Sequence, residues 1–305
     1  MIDRYLLRYF LAVIDNGTFT AAAAQMNVSQ PTLSAGIAKL EREIGAKLLR
    51  RNSQRVELTE AGTRFAAHAR RIEREFHLAQ ESIAGIAPAD TLRLGVLATL
   101  PTAELAALAT TIAAAAPTLR VEFLEGNERA LAQYLARGRI DAALTILRHA
   151  GEGEPIRREG YVLALPAAHQ LAGETALPGE AMAGETMIVR RHCEALAETS
   201  RYFTQRGIRP FFALRTTNDD RALAMVAAGL GVTVVPASHA HPGVVTPALT
   251  GFDLQRTIGL AWGEHAAHLR ARHPLGEWLR AYPRASGPKR APAASSGSAP
   301  RRRRR

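Results

Sequence analysis

One cysteine, Cys193, serves all 305 residues. An intrachain disulfide framework and a four-cysteine zinc site are therefore excluded, and a reducing cytoplasm is the expected setting. No apolar run approaches the ~18 residues that a membrane-spanning helix needs, so no membrane partner is expected. The N-terminal MIDRYLLRYFLAVIDNG is apolar in a helical rhythm, but Asp3, Arg4, Arg8 and Asp15 interrupt it and no small-residue cleavage site follows, which argues against a signal peptide. Phosphate-cradling loops are missing too. Gly229-Leu230-Gly231 leaves a helix for a strand, the reverse of the nucleotide-binding order, and no GxGxxG or Walker sequence occurs. No Ser-His-acid or cysteine-nucleophile context is visible, and His239-x-His241 and the His265/His268 pair lack a third ligand. Neither an enzyme nor a metal or cofactor site is expected.

Acidic residues are absent from one region in particular. The net charge is +11, yet residues 89–283 balance 19 basic against 19 acidic side chains, and residues 1–88 carry an excess of only three. Residues 284–305 hold eight basic residues and no acidic one. This tail, ending in Arg301–Arg305, is rich in Pro, Gly, Ser and Ala and cannot bury enough apolar surface to fold. It would attract any polyanion through counterion release; a solubilising low-complexity end is an equal reading.

What is present is ordered along the chain. Tyr5, Leu6, Tyr9, Phe10 and Val13 recur at helical spacing up to Gly17. Thr18 stands where an N-cap hydroxyl would begin a second helix, and a third runs from about Gln30 to Ile44 with Pro31 in its first turn. Two short apolar segments, Leu48-Leu49 and Val56-Leu58, flank a polar turn and read as a hairpin or wing. Thr59 then opens a helix of about 25 residues whose apolar face (Phe65, Ala69, Ile72, Phe76) exceeds what so small a domain can cover, which predicts pairing with a second copy. After Pro88 the pattern becomes strand, helix, strand, helix, strand, predicting a mostly parallel sheet covered by helices. A similar cycle follows Tyr161 and includes the strand RTIGLAW, and a last helix is predicted over about His265 to Tyr282. Two α/β units with shared crossovers leave a cleft suited to small molecules.

The tight join at Asn27-Val28 carries most of the chemistry. A major groove admits one helix, whose first turns reach the base edges. Ser29, Gln30, Pro31, Thr32 and Ser34 are small or flexible enough for close approach, and Gln30 can bond an adenine bidentately. Thr18 and Thr20 can hold phosphate; Lys39, Arg50, Arg51 and Arg55 can follow the backbone from the helix end and wing. An ordinary helical turn with a polar surface is the plainer alternative, weakened by the basic wing and the long helix that follow.

These pieces, in order, resemble one family. Leu7, Phe10, Val13, Gly17-Thr18-Phe19-Thr20, Ala22-Ala23, Val28-Ser29-Gln30-Pro31, Leu33-Ser34, Ile37, Leu40-Glu41, Gly45, Leu48, Arg51 and Leu58-Thr59-Glu60-Ala61-Gly62 are similar to the LysR-type transcriptional regulators. The resemblance implies an N-terminal all-α winged helix-turn-helix over residues 1–58, a linker and dimerisation helix over 59–88, and a periplasmic-binding-protein-like α/β module over 89–283. Within that module, subdomain I is expected at about 91–160 and 264–283, and subdomain II at about 161–263. It also implies double-stranded DNA as partner, dimers or dimers of dimers, a small effector, and RNA polymerase as a candidate contact. Three positions depart from the commonest pattern: Ala21, Ala35-Gly36 and Leu49. The first two strip side chains from the expected DNA face, placing more of the recognition on Gln30 and the wing arginines.

By the same resemblance the effector lies between the subdomains. Thr99, Leu100, Pro101 and Thr102 would form one edge, Asn127 and Glu128 the second, and Ile146 a third. Arg191, His192, Cys193, Thr216, Thr217 and Asn218 would face them from subdomain II. Helix N-termini and hydroxyls there favour a carboxylate, although Thr99 capping its own helix would account for that residue without a ligand, and an inward-pointing Glu128 would argue against an acid. A disulfide switch of the family's peroxide-sensing kind lacks its second cysteine. A solute-binding or sensory module, with the N-terminal part serving assembly only, remains the alternative.

Overall fold

A computed structural model describes residues 2–51, 56–83 and 91–281. Three helices open the chain: α1 (Arg4–Asn16), α2 (Phe19–Gln25) and α3 (Gln30–Ile44). Their apolar faces meet in a core of Leu6, Phe10, Val13, Ala22, Leu33, Ile37 and Leu40. Between α2 and α3 the chain turns through Asn27, the one described non-glycine residue with positive φ, at 53°. Asparagine tolerates this left-handed conformation better than most side chains, so the turn needs no glycine. Strands β1 (Leu49–Arg51) and β2 (Val56–Leu58) pair antiparallel as the wing.

Helix α4 (Glu60–Ile83) follows. Thr59 caps it, its hydroxyl accepting from Gly62 N at 2.9 Å. A Cβ on Gly62 would lie 2.0 Å from the Leu48 carbonyl oxygen, so glycine here lets the helix start directly against the wing. The first half of α4 buries Ala66 and Ala69 on α1, with Phe65 edge-on to Phe10 and Arg4 paired with Glu73. Farther along, Ile72 and Phe76 are 39% and 45% exposed, the apolar surplus expected from the sequence.

The α/β module begins with β3 (Thr91–Leu97), α5 (Thr102–Ala115), β4 (Arg120–Gly126), α6 (Glu128–Ala136) and β5 (Ala142–Ile146). Strand β3 pairs parallel with both β4 and β5, as the alternating pattern predicts. The long β6 (Glu154–Pro166) then leaves this layer for the next, which contains β7 (Ala176–Pro178), β8 (Thr186–Arg190), α7 (Leu196–Gln205), β9 (Phe211–Thr216), α8 (Asp219–Ala227), β10 (Thr233–Pro236), β11 (Val244–Val245) and β12 (Ala248–Thr250). Last come β13 (Gln255–Trp262), α9 (Ala267–Arg272) and α10 (Leu275–Ala281).

Three expectations are corrected. RTIGLAW lies in β13, which pairs with β5 and with the first half of β6, so it belongs to the first sheet and not to the unit at 161–263. The sheet is mixed and not mostly parallel: β13 runs antiparallel to β5 and β6, and β10, β11 and β12 antiparallel to β6. The final helix is two helices, α9 and α10, because Pro274 between them has no N–H to continue the ladder. Separate cores fill the two units, one around Leu92, Leu94 and Leu144, the other around Tyr161, Leu163 and Phe203.

Candidate nucleic-acid interface and effector cleft

The helix-turn-helix presents its polar first turns outward because apolar residues fix every other face. Thr18 caps α2, accepting from Ala21 N at 3.2 Å. Ser29 caps α3, accepting from Thr32 N at 3.2 Å, and its hydroxyl shares a 2.7 Å bond with that of Thr32. Thr20, Gln30, Pro31 and Thr32 are exposed, and Ser34 is half-buried. Among the described residues the Gln30 side chain has no hydrogen-bond partner, leaving its amide available.

Other expected contacts are placed differently. Gly36 is buried against α1, where an added Cβ would meet the Tyr9 ring at 2.7 Å. Its bareness therefore serves α1–α3 packing, and Ala21 and Ala35 are the departures that thin the exposed face. Lys39 turns back to α1, its Nζ 3.0 Å from Asp3 and 3.4 Å from the Tyr5 hydroxyl. These bonds raise its pKa, and it would have to leave Asp3 to meet a phosphate. Arg50 on β1 is exposed. Arg55 and the side chain of Arg51 lie outside the described residues.

Glu41 has a role its position in a helical apolar face disguised. Its buried carboxylate accepts from Leu48 N at 3.0 Å, Leu49 N at 3.2 Å and Lys47 Nζ at 2.7 Å. Burial alone would raise its pKa, but these donors outweigh burial and hold it below the ordinary value. One side chain thus ties the recognition helix to the wing. Arg70 of α4 makes a comparable tie toward the α/β module, bonding Asp15 of α1 and, through Nε, the Arg137 carbonyl at 3.1 Å.

Between the two α/β units, Thr99, Asn127, Glu128 and His192 converge with Arg148 and Glu194 around a cavity of about 190 Å³. Asn127 also caps α6, accepting from Ala130 N, and Glu128 holds Arg148 at 2.8 and 2.7 Å. Thr102 reaches across to Asp220. The remaining candidates do not join them. Leu100 and Ile146 are buried in the first core, and Pro101 precedes α5 as its N-cap residue. Thr216 is buried and its hydroxyl accepts from Asn218 N, Asn218 caps α8, and Thr217 is exposed. Arg191 and Cys193 line a different cavity, of about 820 Å³, inside the second unit beneath α7. Thr99 does not cap α5. Its hydroxyl donates to Glu194 at 2.9 Å and accepts from Arg256 Nη1 at 2.9 Å.

Arg256, Glu159, Tyr161 and Glu194 were missed from the sequence. Arg256 is 3% exposed, and its guanidinium reaches Glu159, Glu194 and the Thr99 carbonyl. Its one visible signal is an arginine near the start of a largely apolar strand. Glu194 is pushed up by burial, yet Arg256 and the Tyr161 hydroxyl hold its pKa below the usual range. Nearby, Arg190 grips Asp219 bidentately, and its Nη1 lies 3.4 Å from Cys193 Sγ. The described residues contain no cluster of three or more His, Cys, Asp or Glu arranged for a metal ion, and no helix long and apolar enough to cross a membrane.

Known proteins of the same architecture identify the family. Residues 5–63 match the model of the bacterial regulatory helix-turn-helix protein, lysR family, and residues 86–284 match that of the LysR substrate binding domain. A probable hydrogen peroxide-inducible genes activator of Mycobacterium leprae is 32% identical over 292 residues, covering 90% of this chain and 93% of the relative. A full-length OxyR variant from Pseudomonas aeruginosa shares the fold, with TM-score 0.64 and 24% identity over 92% of this chain and 96% of that one. Full-length CbnR, solved in complex with its target DNA, aligns with TM-score 0.54 and 25% identity over 91% of this chain and 99% of its own. The chain thus belongs to the LysR family of transcriptional regulators, and it is a DNA-binding regulator governed through an effector-binding α/β domain.

Proposed function

We propose that the protein reads its operator with Gln30 and the hydroxyls of Ser29, Thr32 and Ser34, while Thr18, Thr20 and the wing arginines hold phosphates. Two copies joined along the second half of α4 place two such helices in successive major grooves, and a dimer of dimers extends the footprint. The effector is a small carboxylate entering between the units at Thr99, Asn127, Glu128 and His192. Its differential affinity for two arrangements of the units shifts how the dimer holds and bends DNA. The protein works in the cytoplasm, contacts RNA polymerase at its promoters, and carries no catalytic step of its own.

The observation that supports this reading is the exposed amide of Gln30, without a partner among the described residues, on the first turn of a helix capped by Ser29 and braced by a buried Glu41. Genome-wide mapping of bound sites, repeated with Gln30→Ala, tests it. Loss of preferred sites with folding retained supports the reading; a native chain with no preferred site in any ligand state sinks it, and leaves the sensory-module alternative.

The similarity to a hydrogen peroxide-inducible genes activator favours a second reading, in which peroxide oxidises the Cys193 thiol to a sulfenic acid and leaves as water. Arg190 beside the sulfur supports it, whereas burial, the larger influence, raises the thiol pKa and thins the reactive thiolate. Intact-mass measurement at micromolar peroxide decides: a one-oxygen gain at Cys193 with altered DNA binding supports this reading, and an unreacted thiol excludes it.

A further inference from the structure

Glu194 is held as a bound ligand would be. Its Oε1 accepts from the Tyr161 hydroxyl at 2.6 Å and from Arg256 Nη1 at 2.7 Å, while Oε2 accepts from Thr99 Oγ1 at 2.9 Å. The three donors come from the loop after β3, the middle of β6 and the start of β13. None belongs to the loop after β8 that delivers Glu194. Burial and the adjacent carboxylate push the Tyr161 phenol far upward, so it stays protonated and donates.

The cations around this carboxylate are themselves shared. Arg157 pairs with Glu104 and Glu159, and Arg256 with Glu159. Arg256 is shared between Glu159 and Glu194, so its charge and the directed hydrogen bonds of Tyr161 and Thr99 hold Glu194 together. Another carboxylate presenting the same two oxygens would satisfy the same donors. The 190 Å³ cavity opens on Thr99 and Glu194 and supplies the way in.

We propose that Thr99, Tyr161 and Arg256 form a carboxylate-binding site whose occupant in this structure is the chain's own Glu194. An effector carboxylate displaces it and frees the loop at 191–195 from the first unit. The inference rests on the reading of this cleft as the effector site and names its ligand class and its internal competitor. A tethered carboxylate competes at an effective concentration of order millimolar or above. A bare acid such as formate therefore fails against Glu194, and a successful effector needs further contacts in the cavity.

The experiment uses the full chain and Glu194→Ala, melted in sodium formate, sodium acetate and, at matched ionic strength, sodium chloride. The variant should melt below the native chain in chloride and rise by about 4 °C at formate ten times its dissociation constant. The native chain should follow its chloride control. A variant that responds equally to formate and chloride overturns the proposal. If Glu194→Ala does not fold, Glu194→Gln carries the test, because its amide oxygen still accepts from Tyr161 without a charge for Arg256. It must respond to formate at lower concentration than the native chain, and an identical response overturns the proposal. Operator binding by the native chain, measured in parallel, reports on the regulator reading separately, since it stands or falls whatever formate does.

Discussion

The two binding regions are built from contacts of very different reach. In the DNA-binding unit the groups that shape the recognition turn lie three residues apart in sequence, as in Thr18 to Ala21 and Ser29 to Thr32. In the cleft, Thr99 meets Arg256 across 157 residues and Glu194 across 95. The first site is a local consequence of helix capping; the second exists only after two sheets have formed. The one exposes its reacting side chains, the other buries and pairs them.

The sharpest way to break this contrast is Arg256→Ala. It leaves Glu159 and Glu194 buried without their shared cation and should cost about 3–5 kcal/mol, seen as a lower urea midpoint for the α/β module with operator-site selection by the N-terminal unit unaltered. Gly62→Ala attacks the join between wing and α4. Its Cβ would collide with the Leu48 carbonyl, and the forced shift should cost about 1–3 kcal/mol by the same measurement.

Glu41→Gln tests whether the recognition helix too depends on one buried charge. Because the folded pKa of Glu41 is held below 4.5, its contribution is fully present above the unfolded value and is lost as pH falls through the folded one. Native and variant melting temperatures should thus differ most near pH 7 and converge only as pH falls below the lowered folded value. The smallest effect belongs to Ser29→Ala, about 1 kcal/mol from loss of the cap. A much larger loss of stability there would mean that the first region is not as locally determined as its bonds indicate.

Legibility followed the same division. The helices of the first 60 residues, the turn at Asn27 and the cap Thr18 could be read because each depends on neighbours within one turn. Gly36 could not: its reason is the Tyr9 ring on another helix. The pairing of Lys39 with Asp3 could not be read either, because Asp3 lies 36 residues away. The alternation of strands and helices predicted the α/β order, but alternation says nothing about which strand β13 joins. Glu194 sat beside the predicted Arg191, His192 and Cys193 without a mark of its own, since an acidic residue before a helix usually faces water. Only its meeting with Tyr161 and Arg256 makes it distinctive.

Strand β6 links the first sheet to the second, pairing with β13 over its first half and with β10, β11 and β12 over its second. A fragment cut near residue 160 would carry half a strand with its hydrogen-bonding edge bare, an invitation to aggregation. The pocket's two walls therefore fold around one shared strand. A chimaera built to change ligand preference would have to exchange both walls together, or alter the pocket one side chain at a time.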